Sequence, residues 1–229
     1  NVFFYLLGAR LEIQRIAAYA HKFGLGSESG VDLPNEAAGL IPDPEWKQRF
    51  FKAPWYQGET ISVSIGQGQV LATPLQMARM MAAVANGGRL VQPHIVRVIG
   101  GKPVAYSSPR PMGIRPSTLA AIRKGLFMAV NAGGSGQRAQ LTDLVVAGKT
   151  GSAQVVSSAK LSKDVATIQP HAWFAGFAPF DDPRIVLAVL VDHGGSGGAS
   201  AAPVAREIFE RYFNRDSATV APTPRRAVP

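Results

Sequence analysis

The last third of the chain contains three apolar segments that restrict the fold more than any other sequence feature. Residues 145–156, 172–178 and 185–191 are rich in β-branched, aromatic and small apolar side chains, a composition that favours strands. Asp181-Asp182-Pro183 separates the second segment from the third and is typical of a tight turn. The sequence therefore predicts an antiparallel hairpin within a sheet near the C-terminus.

Helical patterns precede and follow this predicted sheet. Thr73-Pro74-Leu75-Gln76 combines a capping threonine, a proline at the first helical position and a glutamine three residues after the cap, and it predicts a helix that ends at Gly87-Gly88. The other predicted helices are residues 2–23 (interrupted around Gly8), 117–131 and 203–213. Helices that flank an antiparallel sheet form a layered α/β domain.

Three further segments receive weaker predictions. Residues 24–58 contain many glycines, prolines and scattered aromatic residues, so we predict a long ordered loop packed by its own side chains. Residues 95–99 are a short strand candidate. The Pro-rich residues 217–229 are predicted to be a disordered tail.

Composition excludes several kinds of chemistry. The chain has no cysteine, which excludes disulfides, thiolate metal sites and a thiol nucleophile. The net charge is +9, and it is carried by nine basic residues between Glu59 and Asp143, a stretch without any acidic residue. These cations are interspersed among apolar residues with no aromatic ladder, so we predict no nucleic-acid binding. A solvated positive face, or attraction to an anionic wall polymer or membrane surface, remains open.

Gly148-Lys149-Thr150-Gly151 is the most informative short motif. A nucleotide-binding P-loop would need glycine at position 143, where the chain has Asp143, and a helix directly after Thr150, where a strand is predicted. The second interpretation is the Lys-Thr-Gly signature of serine acyltransferases that react with penicillin. The third is a surface lysine at the start of a strand. The tripeptide alone does not decide between the last two.

Other motifs favour the acyltransferase. In chain order they are Ser64-Ile65-Gly66-Gln67-Gly68, Thr73-Pro74-Leu75-Gln76-Met77-Ala78, Ala85-Asn86-Gly87-Gly88, residues 148–154 and residues 171–179. With this order and spacing, the chain resembles the transpeptidase domain of class B penicillin-binding proteins. Within that family it most resembles the elongation-type penicillin-binding protein 2, over about residues 1–213.

The resemblance implies a fold and a reaction. The fold would be the α/β transpeptidase fold of penicillin-binding proteins and serine β-lactamases, an antiparallel sheet flanked by helices, with residues 1–216 forming only its C-terminal portion and 217–229 a tail. The reaction would be D,D-transpeptidation, a serine acyl transfer that cross-links peptidoglycan stem peptides at D-Ala-D-Ala and that β-lactams block. No cofactor is implied.

The resemblance also implies partners and a location. The partners would be stem peptides, β-lactam antibiotics, an upstream segment of the same protein and a membrane glycosyltransferase of the elongation complex. The catalytic domain would lie in the periplasm, anchored upstream of this chain in the inner membrane.

Site residues follow from the family's three motifs, Ser-x-x-Lys, Ser-x-Asn and Lys-Thr-Gly, of which only the third is complete here. Asn1 would be the last residue of Ser-x-Asn, and the nucleophilic serine would lie upstream, so the fragment alone should be inactive. Lys149 would supply positive charge near the substrate carboxylate, which the hydroxyls of Thr150 and Ser152 would bind. Gly151 would allow close approach of the substrate backbone, and the Ser152 N–H would be an oxyanion donor.

Several other patterns carry no site. Ser157-Ser158-Ala159-Lys160 matches Ser-x-x-Lys, but it follows the Lys-Thr-Gly motif and lies in a polar segment. The four histidines show no metal-ligand spacing, so no metal site is predicted. Asp192-His193 is predicted to point to opposite faces of a strand and to face solvent, which excludes a Ser-His-Asp triad. Residues 194–198 are predicted to form a turn rather than an anion cradle.

The sequence leaves two alternatives to the transpeptidase. A β-lactamase or penicillin sensor shares the Lys-Thr-Gly strand, although the long segment 24–58 disfavours it. A degenerate, non-catalytic binding domain also fits a chain in which the nucleophile is not seen.

Overall fold

The structure is a computed structural model that describes residues 1–154 and 169–218, within which six α-helices and seven strands occur. The helices are α1 (Val2–Lys22), α2 (Pro44–Phe51), α3 (Gln57–Val63), α4 (Pro74–Ala85), α5 (Pro116–Asn131) and α6 (Ala202–Ala218). The strands are β1 (Arg89–Leu90), β2 (Val98–Ile99), β3 (Lys102–Pro103), β4 (Arg110–Pro111), β5 (Ala147–Ala153), β6 (His171–Ala178) and β7 (Ile185–Val191). A 3-10 turn spans Gln137–Ala139, and a π-helical turn spans Gly197–Ala201.

The three long strands form one antiparallel sheet in the order β5-β6-β7. Ala172 lies opposite Val191 and Ala178 opposite Ile185, which confirms the predicted hairpin. Strand β5 pairs only with β6 among the described strands, so its other edge is open. The two short pairs, β1 with β4 and β2 with β3, are separate ribbons.

Strand β6 divides the core into two layers. Because successive side chains of a strand point to opposite faces, Phe174 packs with Val130 and Phe209 on one face, whereas Phe177 packs with Met81 on the other. Phe174, Val130 and Phe209 are fully buried, as is Phe177. The sheet is therefore covered by α5 and α6 on one side and by α4 on the other, as the predicted α/β layering requires.

Helix α4 begins at the predicted capping box. The Thr73 hydroxyl accepts from the Gln76 N–H at 3.1 Å, and the Gln76 carboxamide oxygen accepts from the Thr73 N–H at 2.9 Å. The buried Gln76 side chain also donates to the carbonyl oxygens of Ser27 and Ala38, both at 2.8 Å. One capping residue therefore fastens the segment after α1 onto the core.

The predictions for residues 24–58 and 95–99 were wrong. Residues 24–58 are not a continuous loop, because they contain α2, whose cap Asp43 accepts from the Trp46 N–H at 2.7 Å. The predicted strand 95–99 is reduced to β2. The first two N–H groups of the predicted strand, those of Ile95 and Val96, donate instead to the Asp32 carboxylate at 2.7 and 2.8 Å.

Helix α1 is interrupted at Glu12, where φ is +62°, and not around Gly8 as predicted. Gly8 lies inside the helix, where a Cβ atom would come within 2.3 Å of the Ser64 Cβ. Glycine is thus required for the close packing of α1 against the end of α3. No helix in the described part of the chain is both long and apolar enough to cross a membrane.

At the C-terminus, the predicted helix 203–213 is confirmed within the longer α6. Of the predicted tail 217–229, the first two residues belong to α6 and the others lie outside the described residues. The Ser157–Lys160 pattern also lies outside them.

Candidate functional site

Lys149, near the middle of β5, is the cation of the candidate site. Its ammonium donates to the Thr150 carbonyl oxygen at 2.9 Å and to the hydroxyl oxygens of Ser135 and Thr150 at 3.3 and 3.4 Å. The two hydroxyls are themselves 2.6 Å apart. Partial desolvation of the ammonium lowers the pKa of Lys149. A cation and two hydroxyls therefore converge on one exposed point, which is a suitable binding site for a carboxylate.

Ser135 is the member of this group that the sequence did not predict. It lies in the loop between α5 and the 3-10 turn, outside any of the motifs considered. Its side chain is exposed and reaches the Lys149-Thr150 pair across 14 or more positions of sequence. A loop serine with no local pattern carries no signal of such a contact.

The open edge of β5 presents main-chain groups beside this polar cluster. The Gln67 carboxamide donates to the Ser152 carbonyl oxygen at 2.9 Å and accepts from the Gln154 N–H at 3.3 Å. Within a strand, the N–H and C=O groups of one residue point to the same edge. The Ser152 N–H therefore lies on the open edge with its carbonyl group, where an extended peptide could pair as an additional strand.

A glycine-rich turn supports β5 from one face. The Gly197 N–H donates to the Ser152 hydroxyl at 3.3 Å. A Cβ atom on Gly197 would come within 2.4 Å of the Gly151 carbonyl oxygen and 2.3 Å of the Trp173 carbonyl oxygen. Only glycine permits this approach, so the turn predicted at 194–198 serves as a close-packed support for the predicted site residues 150–152.

A largely apolar cavity of about 480 Å³ adjoins the site. Residues 149–153 of β5 form one wall together with Gln67, and Met77 and Met80 of α4 and Leu126 of α5 form another. The polar cluster thus lies at the border of an apolar space between the sheet and two helices.

Among the described residues, Asn1 is not hydrogen-bonded to the other predicted site residues. Asn1 is exposed at the start of α1, its side chain makes no capping hydrogen bond, and within the described part of the chain it has no hydrogen bond to residues 149–152. The next residues are apolar but exposed, with Phe3 at 70% and Leu6 at 61% of their full accessibility.

A second cluster, formed by His171, Asp192 and His193, was missed by the sequence analysis. The prediction that Asp192 and His193 point to opposite faces was wrong, because β7 ends at Val191 and His193 adopts a left-handed conformation with φ of +49°. Both side chains are nevertheless exposed, as predicted. His171 begins β6, and its Nδ1 lies 2.6 Å from the Asp192 carboxylate.

Comparisons with known proteins agree with this arrangement. Residues 1–210 match the family described as the penicillin-binding protein transpeptidase domain. The peptidoglycan D,D-transpeptidase MrdA of Haemophilus influenzae is 37% identical over 230 residues, which cover 94% of this chain and 35% of that protein. The chain thus spans about one third of the length of the curated relatives it matches.

Solved structures give the same result. The crystal structure of Pseudomonas aeruginosa PBP2 superposes with a TM-score of 0.82 at 35% identity, covering 92% of this chain and 46% of that one. PBP2 of Helicobacter pylori, solved in a complex with MreC, superposes with a TM-score of 0.78 at 30% identity and covers 93% and 38%. The predicted fold class and the resemblance to penicillin-binding protein 2 are confirmed, and the chain belongs to the penicillin-binding protein transpeptidase domain family.

Proposed function

We propose that this chain is the acyl-donor-binding part of a peptidoglycan D,D-transpeptidase. The observation that carries the proposal is the convergence of the Lys149 ammonium with the Thr150 and Ser135 hydroxyls at the open edge of β5. The terminal carboxylate of a D-Ala-D-Ala stem peptide would bind this cluster through charge-assisted hydrogen bonds. β-Lactam antibiotics, which carry a carboxylate in the corresponding place, would bind there too.

The edge of β5 would align the rest of the donor. An extended peptide could accept from the Gln154 N–H and donate to the Ser152 carbonyl oxygen, after displacing the Gln67 carboxamide from both groups. The Ser152 N–H would donate to the oxyanion that forms on the attacked carbonyl. This hydrogen bond would require no reorganisation, because the strand already fixes the direction of the N–H group. Gly151 would leave room for the donor backbone.

The chemistry would be two acyl transfers through a serine ester. The serine oxygen attacks the carbonyl carbon between the two D-alanines, the C–N bond breaks, and the terminal D-alanine leaves with a proton on its amine. An amine of a neighbouring stem then attacks the ester and releases the serine hydroxyl. Because desolvation lowers its pKa, Lys149 would also be able to take part in proton transfer.

The nucleophile would come from an upstream segment that carries Ser-x-x-Lys. This upstream segment would pack in the apolar cavity beside β5, since a helix there would bring a serine next to Lys149 and Ser152. Asn1 would complete Ser-x-Asn when that segment is present, and the exposed apolar side chains after it would be covered. On this proposal, the present chain without its upstream segment is inactive.

The wider setting follows from the relatives. PBP2 of Helicobacter pylori was solved in a complex with MreC, and a related structure is described as a peptidoglycan synthase complex that coordinates polymerization and crosslinking. These descriptions support a role for this protein beside a membrane glycosyltransferase in cell elongation. The catalytic part would lie in the periplasm, anchored in the inner membrane by a segment outside this chain.

Labelling with a fluorescent penicillin tests the proposal in the full-length protein. Lys149→Ala is expected to lower the acylation rate at least 100-fold, which is the order of effect seen when one preorganised electrostatic group is removed from such a site. The matched control is Lys102→Ala, since Lys102 is an exposed lysine of the short strand β3, away from the site. Equal labelling of the wild type and Lys149→Ala would refute the site.

A further inference from the structure

We propose that His171, Asp192 and His193 form a binding site for a divalent transition-metal cation, best matched by Zn²⁺. Each residue offers one ligand atom, and the three ligand atoms lie within 4.8 Å of one another. Two imidazole nitrogens and one carboxylate oxygen are a ligand set that zinc accepts, with a further position open to water. The proposal does not depend on the transpeptidase assignment.

The sheet places the three residues together. Ala172 pairs with Val191, so the next position of the same register puts His171 directly opposite Asp192. The left-handed conformation of His193 then turns its ring back towards the pair, and the two imidazole rings lie 4.9 Å apart. The cluster is thus fixed by strand pairing at its base and by one unusual backbone conformation at its rim.

The hydrogen bonding of His193 leaves one ring nitrogen available as a ligand. Its Nδ1 lies 3.1 Å from the Gln169 carbonyl oxygen, which can only accept, so in the neutral ring this hydrogen bond assigns the proton to Nδ1. Nε2 therefore carries the lone pair, and it lies 3.7 Å from the Asp192 carboxylate oxygen. Metal-binding histidines commonly donate their second ring N–H to a main-chain carbonyl oxygen in this way.

His171 has contacts that a single protonation state cannot satisfy. The His193 N–H points at the His171 Nδ1 from 3.1 Å, which requires a lone pair there. The Asp192 carboxylate lies 2.6 Å from the same nitrogen, which requires a proton there. A cation in place of the shared proton would bind the lone pairs of both Nδ1 and the carboxylate. Because an imidazole nitrogen has one lone pair, metal binding also requires the His193 N–H to give up its contact with the His171 Nδ1.

Metal binding requires the three ligand atoms, now within 4.8 Å of one another, to adjust their separations. With metal–ligand bonds of about 2.0–2.2 Å, ligand atoms in a tetrahedral site are separated by roughly 3.3–3.6 Å. The observed separations of 2.6 and 3.7 Å from the carboxylate oxygen lie on either side of this range. Asp192 and His193 are exposed, so their side chains can rotate by this amount without disturbing the core.

Titration of the full-length protein with zinc chloride, followed by calorimetry, tests the site. Relative to wild type, His193→Gln is expected to lose one equivalent of bound Zn²⁺ or to bind it at least tenfold more weakly, and Asp192→Asn should do the same. Zn²⁺ should raise the midpoint of thermal unfolding of the wild type, and both substitutions should abolish that increase. Both positions are exposed, and circular dichroism without metal verifies that the variants are folded.

His21→Gln is the matched control, because His21 is an exposed histidine whose Nδ1 lies 3.0 Å from the Leu25 carbonyl oxygen. It should bind Zn²⁺ with the stoichiometry and affinity of the wild type. If His193→Gln and Asp192→Asn retain wild-type binding, or if His21→Gln loses as much binding as they do, the proposed site is wrong.

Discussion

The Gln67 side chain is hydrogen-bonded to the two main-chain groups of β5 that the proposed donor peptide would need. Removal of this side chain should therefore strengthen donor binding. A donor that pairs with Ser152 and Gln154 must first displace the Gln67 carboxamide. A neutral hydrogen bond contributes roughly 0.5–1.5 kcal/mol net. Both bonds are exposed and the second is long, at 3.3 Å, so the pair should contribute about 1 kcal/mol. Gln67→Ala should therefore lower the KM for an extended donor about fivefold.

The assay is steady-state cleavage of a labelled stem peptide ending in D-Ala-D-Ala by the full-length protein. Because the Gln67 contacts are made to the free strand edge, kcat should change less than KM, and the free energy of unfolding should fall by no more than about 1 kcal/mol. Gln140→Ala is the control, since Gln140 is an exposed glutamine that lies in a loop, as Gln67 does. An unchanged or increased KM in Gln67→Ala would show that the side chain supports donor binding rather than competing with it.

Two further predictions concern stability. The N–H groups of Val96 and Ile95 hold the pKa of Asp32 down to about 2 from its ordinary 3.8, so its contribution to stability is present above pH 4 and is lost as the pH falls towards 2. Asp32→Asn should lower the unfolding midpoint at pH 7 and flatten its decline between pH 4 and 2. Gly148→Ala would place a Cβ atom 2.5 Å from the Phe174 ring and should cost about 1–3 kcal/mol, measured by denaturant unfolding. Combination with Phe174→Leu should cost less than the sum of the single substitutions, and strict additivity would contradict the overlap.

Features encoded by neighbouring residues were predictable from the sequence. Thr73 and Gln76, which form the capping box, are only three positions apart in sequence. The Asp181-Asp182-Pro183 turn likewise joins strands that are adjacent in sequence. Lys149-Thr150-Gly151 was placed on a strand for the same reason, since its flanking residues have strand composition.

Features that depend on partners distant in sequence were not predictable. Ile95 and Val96 lie in a segment of strand-like composition, but their N–H groups bind the Asp32 carboxylate, 63 and 64 positions away, instead of a neighbouring strand. Gln67 reaches Ser152 across 85 positions. Nothing in the local sequence specifies either contact, because each depends on how separate elements pack.

The His171 cluster differs from these cases, because its main contact follows from a pairing that was predicted. Once the hairpin register is known, His171 must lie opposite Asp192; only the left-handed conformation of His193 is additional information.

The same register separates the cluster from the transpeptidase site. Ala153 pairs with His171, and Lys149 lies four residues further along β5, roughly 13 Å away at the rise of a strand. This distance exceeds the Debye length of about 8 Å at physiological ionic strength, so the charge of a bound cation is largely screened at Lys149. Any effect of the cation on Lys149 would have to pass through the packing of the strands. Loss of Zn²⁺ binding and loss of penicillin acylation are therefore expected to be separable by substitution.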